Sequence, residues 1–346
     1  MRKLLVIGLG GTGIKTLIHV KKALTDREQD GELPANVRLL GFDTTIEAEE
    51  ISDIGLWAGA LSRKGSQKSV VLANNEYTAL TGDLRSWVNG PNPITRKPHL
   101  SWFNRDFFSS PSKSNLLHIA SGAGMYRQIG RLAFFNHASS KEVNAYKAIE
   151  KCLNELQDAM INVIVCGSLA GGTGAGTFID VGSLVKKIAN QIGGMTINLH
   201  GLFVLPEAFR FTPGVSGRIK EMEPRTFAAL LELERFLTLM DGSGGSMAQY
   251  SESTNAPIIS GRTGVDGSIY NVVWLFDERW NRTHRADNFN QLDVPVEYGM
   301  APTLANFITL MQDDRFSKQI EDIFSNRDSQ KSNHTEIGRA SCRERV

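Results

Sequence analysis

The sequence predicts an α/β fold: a Rossmann-like parallel sheet with helices on both faces. Residues 4–7 (LLVI) form a continuous apolar run, which is followed by closely spaced glycines and then by a helical pattern. The same succession recurs after residues 163–166 (VIVC). Continuous apolar strands are typical of parallel sheets that helices cover on both sides, because both faces of each strand are buried. The repeated order of strand, glycines and helix therefore predicts a doubly covered sheet.

Glycines follow the first predicted strand at a spacing that is common in nucleotide-binding turns. Gly8, Gly10 and Gly13 satisfy G-x-G-x-x-G between a strand and a helix. The start of the following helix would attract phosphate, since its N–H groups and its dipole present positive charge. The motif alone also fits a dinucleotide enzyme. A Walker-type P-loop is disfavoured, because Ile14 stands between Gly13 and Lys15.

The second predicted strand, residues 37–42 (VRLLGF), ends in an acidic residue, Asp43. A carboxylate at the C-terminal end of a parallel strand can bind a ribose hydroxyl, as in dinucleotide enzymes, or hold a water on Mg²⁺. It can equally cap the helix that comes next. The residues alone leave these three roles open.

The densest glycine stretch is residues 170–176 (AGGTGAG), which lies between the strand at residues 163–166 and a helical pattern that begins at Thr177. Glycines let successive N–H groups face a ligand without obstruction by Cβ atoms, and the helix adds its positive end. Thr173 can offer its hydroxyl to a phosphate oxygen. A flexible turn is the plain alternative, but this layout favours phosphate binding.

The string GGTGAG at residues 171–176 resembles the nucleotide-binding signature of the tubulin/FtsZ superfamily, whose members bind GTP through this loop. The resemblance covers most of residues 1–314, excluding residues 49–115, and is to a bacterial tubulin-like protein outside the division and cytoskeletal branches. It implies that three glycine loops contact one triphosphate. The phosphate-binding residues it implies are Gly8, Gly10, Gly11, Thr12, Gly13, Gly122, Ala123, Gly124, Ala170, Gly171, Gly172, Thr173 and Gly174.

The resemblance also implies residues around the ribose. Glu223 and Arg225 flank Pro224, where we expect a long helix to begin, and this step is similar to one that contacts the ribose in the family. An ordinary acid at a helix start is the alternative for the glutamate. Arg127 or Arg131, after the third glycine loop, is a candidate phosphate contact, although we interpret the second of these as a solvated helix residue.

Base recognition is implied at the end of the last predicted strand, residues 269–276. Asp277 lies near the position where FtsZ-like proteins have an asparagine, and its carboxylate would accept from the N1–H and 2-amino group of guanine. Tyr298 is the candidate for stacking on the purine. Asp43 is the candidate for a water-mediated contact with Mg²⁺, because FtsZ-like chains have an aspartate close to the metal near this point.

The domain organisation that we predict is a single nucleotide-binding domain followed by the start of further chain. The segments are a tubulin-like domain at 1–298 with a family-specific insertion at 49–115, a central helix region at 299–324, a polar tail at 325–335 and a segment at 336–346 that is set aside. This last segment resembles the in-frame translation of a sequencing-library adapter. We therefore expect the second domain of the family to be missing.

The composition of the chain limits the cellular location and the classes of partner that the sequence favours. The 346 residues suffice for one large α/β domain, and no apolar run approaches the roughly 20 residues that span a bilayer. The first three residues lead straight into a strand, so no secretory signal is evident. Cys152, Cys166 and Cys342 match no metal or disulfide pattern, which favours a cytoplasmic location. Without residues 336–346 the formal net charge falls from +1 to zero, so no basic surplus indicates a nucleic-acid partner.

The resemblance implies that the intact protein binds GTP or GDP with Mg²⁺, associates head to tail and hydrolyses GTP at the subunit contact. The catalytic carboxylates are unidentified and are expected in the missing part, so this chain should bind nucleotide but hydrolyse it poorly. The alternatives are an NAD- or FAD-dependent oxidoreductase, and a non-hydrolysing, GTP-bound filament or scaffold with membrane-associated partners. The second glycine loop argues against the oxidoreductase, because a dinucleotide needs only one pyrophosphate cradle.

Overall fold

The computed structural model describes residues 2–45, 70–90, 102–119, 122–138, 144–210, 216–238, 269–277, 300–312, 318 and 338–339. The strands in these ranges are β1 (Lys3–Leu9), β2 (Val37–Asp43), β3 (Tyr77–Ala79), β4 (Gly82–Asp83), β5 (His118–Ile119), β6 (Met160–Ser168), β7 (Thr196–Val204), β8 (Val272–Phe276) and β9 (Gly338–Arg339). The α-helices are α1 (Gly10–Thr25), α2 (Arg85–Asn89), α3 (Arg105–Ser109), α4 (Arg127–Ala138), α5 (Ala145–Leu156), α6 (Gly172–Ile192), α7 (Ile219–Thr238) and α8 (Ala301–Leu310).

Seven of the described strands form one parallel sheet in the order β3-β2-β1-β6-β7-β8-β9. The two-residue strand β9 lies in the segment that the sequence analysis set aside, and it pairs with β8 at the sheet edge. The strands β4 and β5 form a separate antiparallel pair. Because β1 lies between β2 and β6, the C-terminal ends of these three strands meet at one edge of the sheet.

Helices cover both faces of the sheet, and each face has its own apolar core. α1 and α8 pack on one face, where Leu17 and Leu304 are fully buried. α4, α5, α6 and α7 pack on the other, where Phe134 and Phe178 are fully buried. Each such side chain stabilises the fold by roughly 1.5–3 kcal/mol relative to an exposed one. The predicted class, a parallel sheet with helices on both faces, is confirmed.

The predicted strands are all present in the structure. Those at residues 4–7, 37–42 and 163–166 coincide with β1, β2 and β6. The last one, predicted from residue 269, begins three residues later at Val272. These strands were predictable because each is an apolar run that is buried on both faces.

The glycine stretches are the first turns of helices rather than loops ahead of them, so the predicted start of the central helix at Thr177 is wrong. α6 begins at Gly172, and α1 likewise begins directly after β1. Glycine is a poor helix former, but the neighbouring backbone requires it here. A Cβ on Gly176 would clash with the carbonyl oxygen of Arg127, and one on Gly130 with that of Gly172. α4 and α6 therefore cross with their backbones in contact.

The long helix α7 also begins earlier than predicted. It starts at Ile219, so Pro224 lies inside the helix and not at its first position. A proline there lacks the N–H that would bond to the carbonyl of Lys220 four residues earlier. A short 3₁₀ turn, Ser216–Arg218, leads directly into this helix, so the helical segment begins well before the proline.

The described parts of the insertion pack against the domain. Trp87 and Trp102 are half-buried and contact the core on the α4–α7 face. Trp102 lies edge-on to Phe103, with 6.0 Å between ring centroids. These two tryptophans therefore pack against the core of the domain.

Candidate nucleotide site

The first and central glycine stretches lie side by side at one edge of the sheet. β1 and β6 are parallel neighbours with Leu9 paired to Gly167, and each strand leads almost directly into a helix. A Cβ on Gly10 would lie 3.3 Å from both the backbone nitrogen of Gly174 and the Cβ of Thr173. Gly10 also has φ +68°, which favours glycine. The N-termini of α1 and α6 therefore open onto the same crevice.

The N-cap residues of these two helices supply no side-chain cap. The residues that precede the helices, Leu9 and Gly171, make no side-chain capping bond, and neither first turn contains an acidic residue. The first N–H groups of a helix have no intrahelical acceptor, and the helix dipole adds positive charge at the same end. Two uncapped ends that meet in one crevice form a site that suits a multiply charged anion.

The predicted phosphate-binding glycines divide into two groups by what surrounds them. Built Cβ atoms on Gly11, Gly122 and Gly171 would meet no heavy atom within 4 Å, so these three glycines line open space. A Cβ on Gly8 would lie 2.5 Å from the carbonyl oxygen of Gly13, and the converse contact is equally close. We therefore assign this pair to the close packing of β1 on α1, and its role as a phosphate contact stays a prediction.

The central stretch shows the same division. A Cβ on Gly174 would clash with the carbonyl oxygen of Ser168, so this glycine serves strand–helix packing. A Cβ on Gly172 would lie 2.8 Å from the Cβ of Ala123 and 3.0 Å from the nitrogen of Tyr126. Gly172 therefore faces the third glycine loop, while its neighbour Gly171 faces the crevice.

The turn between β6 and α6 is held by hydrogen bonds of its first residues. The N–H of Ala170 donates to Ser168 Oγ at 3.0 Å, and Leu169 N–H donates to the carbonyl of Val204 on β7. The Thr226 hydroxyl on α7 donates to the carbonyl of Leu169 at 3.0 Å. Ala170 therefore positions the turn, and its contact with phosphate stays a prediction.

The third glycine loop is brought to the same edge. The N–H of Gly122 donates to the carbonyl of Thr44 at the end of β2, at 3.0 Å. Gly122 and Gly124 have φ of +107° and +56°, values that favour glycine. Ala123 is buried against the start of α6. The three loops that the sequence singled out are thus adjacent, with Thr12 half-buried in the first turn of α1.

Asp43 turns back onto the residues that follow it. Its carboxylate accepts the Thr44 N–H at 2.7 Å and the Thr45 hydroxyl at 3.3 Å, and the side chain is buried. These bonds form a local turn over residues 43–45. The side chain accepts from the residues that follow it, as it would in the helix-capping role that the sequence left open. Among the described residues no three Asp, Glu, His or Cys side chains form a metal site. A water-mediated Mg²⁺ contact stays a prediction.

The two arginines after the third loop make protein contacts. Arg131 donates to both carboxylate oxygens of Asp180 at 2.7 and 2.8 Å, and its guanidinium lies 4.6 Å from the Trp102 ring. The expectation of a solvated side chain is therefore wrong. Arg127 donates to the carbonyl of Ala175 at 3.2 Å and pairs with Glu232 on α7. Both arginines tie α4 to its neighbours.

The structure places the two predicted ribose residues in different surroundings. Glu223 is exposed on α7, whereas the Arg225 guanidinium carbon lies 5.2 Å from the ring centroid of Tyr126, beside the third loop. One guanidinium nitrogen of Arg225, Nη1, is buried and has no hydrogen-bond partner among the described residues. Buried polar atoms nearly always have a partner, so this nitrogen is a candidate donor to a ligand oxygen.

The predicted base contacts lie further along the sheet edge. Asp277 is half-buried directly after β8, and β7 separates that strand from β6. Neighbouring strands lie about 4.8 Å apart, so roughly 10 Å separates this carboxylate's strand from the central turn. Tyr298 lies outside the described residues. The structure places the aspartate at the same edge as the glycine turns.

Known proteins provide a comparison for this arrangement. A family model described as tubulin like matches residues 5–341. No curated protein sequence matches the chain. None of the described helices is long and apolar enough to cross a membrane.

Solved structures of similar fold come from three kinds of protein. GDP-bound CetZ1 from Haloferax volcanii is 13% identical, with 89% of this chain and 59% of that one covered and a TM-score of 0.40. An empty FtsZ dimer from M. jannaschii is 13% identical, with coverages of 91% and 56% and a TM-score of 0.41. TubZ from Bacillus thuringiensis serovar israelensis, in GDP-form protofilaments, is 13% identical, with coverages of 89% and 52% and a TM-score of 0.35. The chain spans just over half the length of these proteins.

Proposed function

The chain belongs to the tubulin-like family, and from this premise we propose that it binds a guanine nucleotide, GTP or GDP, at the edge where α1 and α6 begin. The observation that carries the proposal is the meeting of two uncapped helix N-termini in one crevice. A triphosphate carries several negative charges, so it can interact with both positive helix ends at once. A single phosphate group would need only one such end.

The phosphate contacts in this proposal come from residues that line open space. Gly11 and Thr12 on α1 and Gly171 at the start of α6 are the principal contacts, whereas Gly122, whose N–H donates to the carbonyl of Thr44, leaves room for the anion beside the third loop. Thr173 adds a hydroxyl between the two helix starts. Arg225 fits a phosphate or ribose oxygen, because its buried nitrogen has no acceptor within the part of the protein that the structure describes. Mg²⁺, when bound, would offset the charge of the phosphates, with Asp43 reaching it through water.

Base selection rests on Asp277. Guanine presents two adjacent donors, N1–H and the 2-amino group, whereas adenine presents neither in that arrangement. A carboxylate at the end of β8 accepts from both. Adenine would leave the carboxylate without a donor, and a buried polar group without its partner costs about 1–3 kcal/mol. The same argument disfavours a nicotinamide or flavin dinucleotide, whose terminal base is adenine.

Hydrolysis belongs to the longer protein in this proposal. The chain spans just over half the length of the solved proteins it matches, so head-to-tail self-association and its catalytic carboxylates are proposed for the intact gene product. The nucleotide site contributes positioning and electrostatic stabilisation of phosphoryl transfer to water. A non-hydrolysing scaffold that keeps GTP as a stabilising ligand is the second candidate, favoured if the intact protein lacks turnover.

The test is a set of equilibrium titrations of the purified chain with GTP, GDP, ATP and NADH. Binding is monitored by the fluorescence of labelled nucleotide and by thermal melting. We expect saturable binding of GTP and GDP, weaker binding of ATP and none of NADH. Binding of NADH without GTP would reverse the proposal in favour of the oxidoreductase. Phosphate release by the intact gene product over a concentration series then separates the GTPase from the scaffold, since assembly-dependent hydrolysis rises with concentration.

A further inference from the structure

Thr44 joins the central and third loops of the proposed site, although it belongs to none of the glycine motifs. Its carbonyl accepts the N–H of Gly122 at 3.0 Å, and its own N–H donates to Asp43 at 2.7 Å. Its hydroxyl oxygen lies 2.7 Å from that of Thr173 on α6. The side chain is fully buried, so water does not compete for these bonds.

Thr173 lies where the two helix starts touch. It is the second residue of α6, and its Cβ lies 3.3 Å from the Cβ position on Gly10. The side chain is 5% exposed. Within the described residues its hydroxyl has Thr44 as its protein partner. A hydroxyl at this point directs either its proton or its lone pairs at an anion in the crevice.

The two hydroxyls share two protons, and the protein offers two ways to arrange them. In the first, Thr173 donates to Thr44, which donates to Asp43 Oδ1 at 3.5 Å. In the second, Thr44 donates to Thr173, and the Thr173 proton is directed to an acceptor in the crevice. The bond to Asp43 is long and that oxygen already accepts the Thr44 N–H, so the first arrangement is held weakly. An anion supplies the acceptor that the second arrangement needs.

We propose that Thr44 is a positioning residue for the phosphate site: its hydroxyl directs the Thr173 proton toward the bound anion, and its carbonyl holds the third loop through Gly122. This inference rests on the proposed nucleotide binding. It adds a residue that contacts no ligand itself and acts through Thr173. Because its hydroxyl bonds to Thr173 on α6 and its carbonyl bonds to Gly122, Thr44 fixes the central and third loops relative to the end of β2 before nucleotide binds.

The test compares T44V, which keeps the shape of the side chain and removes the hydroxyl, with T44S, which keeps the hydroxyl. GTP affinity is measured for both, for T173V and for the double variant T44V/T173V. The matched control is T25V, because the Thr25 hydroxyl bonds only within the last turn of α1, at Lys22. Thermal melting verifies folding, and T44A replaces T44V if the valine variant does not fold.

We expect T44V to weaken GTP binding roughly three- to tenfold, since that is the range for one lost hydrogen bond. T44S should restore most of the affinity, and T25V should bind like the wild type. The double variant should bind no more weakly than T173V alone, because Thr44 acts through Thr173. Wild-type affinity in T44V, or equal losses in T44S and T44V, would overturn the inference while leaving the nucleotide site intact. Failure of the wild type itself to bind GTP would overturn the proposed function, and this inference with it.

Discussion

Arg131 and Asp180 form a buried two-bond ion pair that joins α4 to α6. The two hydrogen bonds measure 2.7 and 2.8 Å, and the carboxylate is 1% exposed. Burial raises the pKa of Asp180, and the positive charge of Arg131 opposes that rise. Since α4 follows the third glycine loop and α6 follows the central turn, this pair holds two sides of the proposed site together.

Removing one partner of this pair should destabilise the fold strongly. In Arg131→Ala the buried carboxylate loses its counter-charge and two donors, which costs about 3–5 kcal/mol of unfolding free energy. Urea denaturation monitored by circular dichroism measures the loss. The control is the double variant Arg131→Met with Asp180→Leu, which should recover most of the stability because no buried charge remains. A loss below about 1 kcal/mol in the single variant would mean that the pair is dispensable, as exposed pairs are.

Gly171→Val and Gly172→Val should separate ligand contact from loop packing. A side chain on Gly171 enters open space, and the residue has φ −87°, which valine tolerates. We expect its melting temperature to match the wild type and its GTP affinity to fall by about tenfold or more, which corresponds to at least about 1.4 kcal/mol. Isothermal titration and thermal melting of the same samples provide both measurements.

Gly172→Val should behave differently, because its side chain meets Ala123 and the backbone at Tyr126. This variant should lose thermal stability as well as affinity, since the third loop must shift. Equal stability of the two valine variants would show that the third loop yields without cost.

The strands and the shared edge of the site were predictable because burial on both faces produces apolar runs that are visible in the sequence. The division of the glycines was not predictable. Gly8 and Gly11 are the same residue type in one motif, yet the first packs against Gly13 and the second faces open space. Only the neighbouring backbone distinguishes these roles. Thr44 was missed for a similar reason, since its partners lie far from it in the sequence.

Asp277→Ala should reduce the preference for GTP over ATP. The carboxylate is the proposed acceptor for the two guanine donors, and unpaired donors in the complex cost about 1–3 kcal/mol. Competition of labelled GTP with each nucleotide gives the ratio of affinities before and after the change. The expected signature is weaker GTP binding with ATP binding nearly unchanged. A parallel loss for both nucleotides would indicate that the aspartate supports the end of β8 and does not read the base.

Stability should fall as the pH drops from about 6.5 to about 4, in part because of His19 on α1. Burial, with a smaller contribution from Lys15, lowers the pKa of His19 to about 4, whereas an unfolded histidine titrates near 6.5. Between these two pH values the unfolded chain binds a proton that the folded chain excludes. The stability that His19 contributes is therefore fully present above about pH 6.5 and is lost as the pH falls toward 4. The slope from this group approaches about 1.4 kcal/mol per pH unit within that window. Burial also lowers the pKa of His137, which adds a loss in the same direction.

His19→Gln isolates the contribution of this one histidine. The glutamine of this variant does not titrate. The variant should therefore lose less stability than the wild type between pH 6.5 and pH 5, whatever its stability at pH 7. Urea denaturation at intervals of half a pH unit measures the two slopes. The matched control is His118→Gln, which makes the same substitution at an exposed side chain. Parallel pH profiles for His19→Gln and the wild type would show that His19 charges in the folded state without cost, and that the acid sensitivity arises elsewhere.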